Sequence, residues 1–277
     1  MASKRPKEVI SLIKYYRQAA KELVLIVKSY EGSPFKKVKL EKLKEIQIVL
    51  TKLDKKNISW IKKNIPKFYR NGKVEAIAQM KAFEENFKIP VAKIDEKMVA
   101  FLVEEAYGDF ANTLKGIGAS AEKALNRIQK AALQDRIVKD VIQGKSTEAT
   151  KKAVLDELKE QGWTAFRSTK GNRRRFELLD YVDILSRSQL GQAQNRGLEQ
   201  GFLNAGRRFG KVNTLRLDID GYDVCNEWEG EIIDLLDPAQ PKPPFHPRCR
   251  HSIEAVSFSE LEKAGMYDEA VEFFKKI

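Results

Sequence analysis

The stretch "PPFHPRCRHSIEAVSF", residues 243–258, decides the fold. It is not a stretch expected of an ordinary helical domain, and Pro247 helps turn the chain. "HSIEAVSF" (251–258) then reads as a short strand candidate. A chain whose other segments are dominated by helical periodicity must therefore carry a β element near its end. The same stretch holds His246, Cys249 and His251, three of only four histidines and cysteines in 277 residues. The fourth, Cys225, lies upstream in "DVCNEWEGE".

Moving outward, "EIIDLL" (231–236) and "KVNTLRLDID" (211–220) are two further strand candidates. "WTAFRSTKGNRRRF" (163–176) reads as a short strand and a turn, leading into a long helix through "FELLDYVDILSRSQLGQAQNRGLEQGFLNAG". At the other end, Ser259 and Glu262 have capping-box spacing and predict one terminal helix.

Before residue 160 the patterns are helical. Val9, Ile13, Tyr16, Ala20, Leu23 and Val27 define one face of a helix from Pro6 to Tyr30. Leu40, Leu43, Ile46, Leu50 and Leu53 define a second helix. Pro66 is expected to interrupt the chain, with a new helix from Val74 to Phe87. Between 95 and 160, Ser120 and Ser146 are expected as N-caps, and Gly144 and Gly162 as helix stops. The expected fold is α+β: a mostly helical region (1–160), then a small α+β module with short antiparallel strands and a terminal helix (161–277).

Charge is regional. Residues 1–70 hold 19 Lys and Arg against 6 Asp and Glu, a net of +13, so the remaining 207 residues sum to −1 of the total +12. Lys36, Lys37, Lys39, Lys42, Lys44, Lys52, Lys55, Lys56, Lys62 and Lys63 are the candidate nucleic-acid contacts. They would neutralise phosphates without reading bases. The competing reading is a solvated lysine face that only maintains solubility.

No run of about 18 apolar residues is present, so no membrane span is expected. The charged start "MASKRPKEVISLIK" does not read as a secretory leader, and the chain is expected in the cytosol of the cell that makes it. "QGKS" (143–146) resembles the end of a phosphate-binding loop, but Lys139 stands where that loop needs glycine. The carboxylates of "DIDGYD" are too few for a calcium loop, and no nucleophile elbow or HExxH helix occurs. The chain is expected not to be an enzyme.

The Cys/His set has the form C-x20-H-x2-C-x-H. In an extended "CRHSI", Cys249 and His251 share a face and Arg250 points away. Two thiolates and two imidazoles suit a tetrahedral structural zinc. A metal-free polar and thiol clasp is a second reading, and a disulfide in oxidising surroundings is a third.

Three pieces, in order, carry a family resemblance. The first is "LDELKEQGWTAFRSTKGNRRRFELLDYVDILSRS", with Tyr181, Arg187 and Ser188 matching a Y-V/A-x-M-x-x-R-T helix, while Phe176 and Ile184 replace Trp and Met. The second is "DVCNEWEGEII", matching C-x-x-x-x-G-K at Cys225 and Gly230, with Glu231 for Lys and Trp228 where some relatives have a second cysteine. The third is "PPFHPRCRHSI", matching H-P-x-C-R-H at His246, Pro247, Cys249, Arg250 and His251. Over about residues 150–257 the chain resembles the minor head, or minor capsid, proteins of tailed bacteriophages, the Mu F-like or head morphogenesis group, and is most similar to the branch called phage minor capsid protein 2.

That resemblance implies a structural virion component at the portal vertex in the phage head. Its implied partners are the portal protein, packaged double-stranded DNA and the major capsid or scaffold protein, with no membrane. A genome-delivered nucleic-acid-processing or toxin-like enzyme and a cellular zinc-ribbon-like DNA-binding protein are the alternatives.

Overall fold

The computed structural model describes residues 6–33, 35–83, 95–139, 147–160, 177–213, 224–246 and 249–276. The element order is α1 (Lys7–Lys28), α2 (Lys36–Phe83), α3 (Glu96–Lys139), α4 (Thr147–Glu160), α5 (Leu178–Asn204), β1 (Phe209–Val212), β2 (Ile232–Asp234), β3 (Ile253–Ala255), α6 (Phe258–Lys263) and α7 (Tyr267–Lys275). The fold is α+β, as the sequence led one to expect. Two compact units form, each from two segments: Met1–Ile61 with Ala106–Asp183, and Lys62–Glu105 with Ile184–Ile277.

The described residues of the first unit are helical apart from their short connections. Val9, Ile13, Tyr16, Leu23 and Val27 of α1 are buried as their spacing requires, with Ala19 in place of the expected Ala20. Ile46, Leu50 and Leu53 of α2 are buried too, whereas Leu40 is left exposed. Polar contacts fix α1 against α2: Asn57 Nδ2 donates to the buried Tyr16 hydroxyl at 2.9 Å, and Trp60 Nε1 donates to Glu8 O at 2.8 Å. Burial, more than any neighbour, pushes the Tyr16 phenol pKa upward, so this hydroxyl stays neutral. Trp60 also meets Phe110 of α3 edge-on, with ring centroids 5.8 Å apart.

In the second unit β1 is central to an antiparallel sheet of order β2-β1-β3, pairing Gly210 with both Ile233 and Ala255. One sheet face packs Val212, Ile233, Leu235, Ile253 and Ala255 against Ala76 and Met80 of α2 and Leu198 and Phe202 of α5. The other packs Phe209, Ile232 and Val256 against Leu261 of α6 and Ala270 of α7. Side-chain amides close the sheet edges: Gln79 Oε1 accepts from Ala255 N, Asn195 Oδ1 from Ile253 N, and Gln240 Oε1 from Asp234 N. An open edge would otherwise offer unpaired backbone groups to another strand.

The helices α2 and α5 meet backbone to backbone. A Cβ at Gly72 would overlap Gln194 O and come within 2.8 Å of Leu198 N. One at Gly197 would overlap Tyr69 O and lie 2.9 Å from the Tyr69 carbonyl carbon. One turn further on, Gly201 faces Ala76 in the same way, at 2.5 Å from its Cβ. Small residues four apart on both helices permit this approach, the geometry of a small-xxx-small crossing.

Several expectations are corrected. Pro66 does not interrupt the chain but lies inside α2. It removes one helical hydrogen bond, a cost of about 3 kcal/mol relative to Ala. Burial of Trp60, Ile61, Ile65 and Tyr69 on the flanking turns offsets it. Ser120 is not an N-cap: it sits within α3 and donates to Gly116 O at 3.0 Å. The cap of that helix is Asp95, whose Oδ1 accepts from Met98 N at 3.1 Å.

The terminal capping box is Ser257 with Glu260, not Ser259 with Glu262. Two helices follow instead of one, separated at Gly265 with φ +71°. Lys211 of β1 reaches Glu260 at 2.6 Å and, with the Ser257 backbone and hydroxyl donors, holds that carboxyl down at about 2. Ser146, Gly144, Gly162, the strand expected within 163–176 and the latter part of "KVNTLRLDID" lie outside the described residues.

Replacing Gly197 with Ala is expected to destabilise the protein by about 3 kcal/mol, since backbone on the facing helix has no rotamer by which to yield. Urea unfolding measures it. A loss below about 1 kcal/mol would mean that the crossing relaxes.

Candidate metal centre

The cluster is assembled by the second unit around the end of its sheet. Val224–Trp228 forms a short 3-10 helix that presents Cys225, which is buried. The chain then turns at Gly230, φ +82°, whose N–H donates to Val212 O at 2.9 Å. This bond ties the turn to β1 and sets where Cys225 and Glu229 stand. After β2 the loop is pinned by Lys242, which donates to Leu235 O at 2.6 Å and pairs with Glu199 of α5 at 3.0 Å. Phe245 stacks on Trp228 at 5.8 Å between centroids and tilts against His251 at 6.1 Å, so an aromatic wall lines one side.

His251 and Cys249 precede β3 rather than lying within it, though Asn213 N donates to Ser252 O and extends the pairing with β1 by one step. The expected alternation holds here: Arg250 is exposed and His251 buried. Asn195 of α5 grips this segment at two points, donating to His251 O at 3.2 Å and accepting from Ile253 N at 3.3 Å. Both groups are buried, so each bond matters more than it would in water.

All four sequence-named residues lie in one neighbourhood. One donor atom each from Cys225, Cys249 and His251 falls within 4.8 Å of the others, close enough for the three to hold one metal ion. Cys249 Sγ is 3.4 Å from His251 Nδ1. His246 Nε2 lies 3.1 Å from Cys225 Sγ, flanking the trio. The two cysteines are thiols and no disulfide joins them. Sulfur and imidazole donors at this separation fit a soft or borderline divalent cation and not an oxygen-seeking one.

Glu229 was not anticipated. Its Oε1 lies 2.8 Å from His251 Nε2, on the far side of the ring from Cys249. A signal did exist, since Glu229 sits between Cys225 and Gly230 of the second motif. Nothing in the sequence distinguished it from Glu227 or Glu231.

The ten lysines all fall on α2. Lys36, Lys37, Lys44, Lys52, Lys55, Lys56, Lys62 and Lys63 are exposed, whereas Lys39 and Lys42 are partly buried. Lys42 pairs with Glu45 at 2.9 Å, and Lys56 covers the Tyr15 ring at 5.2 Å. Lys37, Lys44 and Lys55 are separated by steps of 7 and 11, both close to whole numbers of helical turns, and therefore form a row of about 27 Å. Lys52 and Lys56 flank it. Lys62 and Lys63 begin the part of α2 assigned to the second unit.

Among the described residues no helix is long and apolar enough to cross a membrane. Comparison with protein-family models, curated proteins and solved structures found no match to this chain.

Proposed function

We propose that this chain is a non-catalytic minor head protein of a tailed bacteriophage, acting at the portal vertex and against packaged double-stranded DNA. One observation carries the reading: the two most specific motifs of the family resemblance converge on a single centre. Cys225 from one motif and His246, Cys249 and His251 from the other are drawn from segments 20 residues apart in sequence, yet their side chains gather at one end of one sheet. Matched positions that meet in space are a common structural device more readily than a chance of composition.

In this reading the ion is zinc, held by Cys225, Cys249 and His251 with His246 as the fourth donor, and its role is structural. The proline-rich loop that follows β2 has little core of its own, so ligand bonds would hold it to the sheet. The exposed row on α2 supplies the second property, charge neutralisation along a phosphate backbone without base readout. The same lysines suit an acidic surface on the portal or on the capsid or scaffold protein.

Purified without chelator, the chain is expected to carry about one zinc by elemental analysis, lost together with folded structure in Cys249→Ser. Zinc-free protein that folds in both forms would leave a polar clasp. In salt titrations of duplex binding, changing Lys37, Lys44, Lys52 and Lys55 to Glu is expected to weaken affinity and lower the log–log slope by about one per lysine. An unchanged slope would remove DNA from the reading. Portal, terminase and major capsid genes are expected beside this one. A neighbourhood of immunity and effector genes would favour a genome-delivered enzyme, and ordinary cellular genes a cellular DNA-binding protein.

A further inference from the structure

We propose that Glu229 is a positioning residue of the metal centre: it fixes the tautomer of His251 so that Nδ1, not Nε2, binds the ion. The inference rests on the zinc reading above and adds to it the identity of the binding atom and the group that selects it. A neutral imidazole has one N–H and one lone pair, and an ionised carboxylate can only accept. Glu229 Oε1 stands 2.8 Å from Nε2, and a neutral ring makes a hydrogen bond to a carboxylate there only with its proton on Nε2. The lone pair is thereby left on Nδ1, the nitrogen that stands 3.4 Å from Cys249 Sγ.

The ring has little freedom to choose otherwise. The His251 side chain is 3% exposed and that of Glu229 20%. Asn195 holds the His251 carbonyl at 3.2 Å, and Phe245 lies against one side of the ring. Turning the ring over would present carbon to both Glu229 and the sulfurs, forfeiting the hydrogen bond and the ligand together. Glu229 itself is held by the turn, its N–H donating to Asn226 O at 3.2 Å. The carboxylate also makes the imidazole a stronger donor, and removal of such outer partners typically costs about 10–100-fold in metal affinity.

The test uses the full chain with zinc alone. In histidine-selective ¹⁵N spectra, zinc is expected to shift Nδ1 of His251 while Nε2 remains protonated. In chelator competition, Glu229→Ala is expected to lose about 10–100-fold in affinity. Glu229→Gln, which keeps an acceptor oxygen, should recover much of that loss. Coordination through Nε2 in the wild type would overturn the proposal, as would Glu229→Ala affinity within about twofold of wild type. A wild-type chain that takes up no zinc would instead sink the metal reading itself. Should Glu229→Ala fail to fold, the wild-type nitrogen assignment and the Gln variant still decide.

Discussion

The close crossing of α2 and α5 at Gly72 and Gly197 is the constraint on which the rest of the second unit depends. Because the two backbones touch, Ala76 and Met80 of one helix and Leu198 and Phe202 of the other lie on one surface, and the inner sheet face covers it. Gln79 and Asn195, on these same two helices, then reach the outer edge of β3 and satisfy its outward amides. Helices held apart by ordinary side chains, at the usual 8–10 Å between axes, would carry those two amides away from the strand.

From that platform the candidate metal centre follows in steps. Asn195 fixes the backbone on both sides of Ser252 and so aims His251. The bond between Gly230 and Val212 fixes the turn that carries Glu229 and follows Cys225. Lys242, held by Glu199 of α5, anchors the proline-rich loop before His246 and Cys249. Each donor therefore stands on a segment tied to α5 or to β1, and the cluster does not depend on loop sequence alone. The lysine row of α2 has a different physical basis: it needs only helical continuity and solvent exposure.

Much of the candidate site was legible in the sequence. Rarity singled out Cys225, His246, Cys249 and His251, and strand periodicity put Cys249 and His251 on one side with Arg250 on the other. Glu229 was hidden because acidic residues are common, and only its distance to Nε2 separates it from its neighbours. The terminal cap was misplaced by two residues because two serine–glutamate pairs with the same spacing compete there. Ser257 is the one whose hydroxyl meets the Glu260 amide.

The sequence by itself determined the helical periodicity of α1, the β character of 211–212, 232–234 and 253–255, the basic bias of the first 70 residues and the identities of the four sulfur and imidazole donors. These are local properties, set by side-chain period, charge and residue chemistry. Tertiary structure alone decided that α2 runs through Pro66, that Ser120 lies inside a helix, and that residues 62–105 join the sheet-bearing unit. The physical reason is that burial on the turns around Pro66 outweighs one lost hydrogen bond, and that a glycine's value at a helix crossing depends on which backbone it faces. Neither quantity exists until distant segments are in contact.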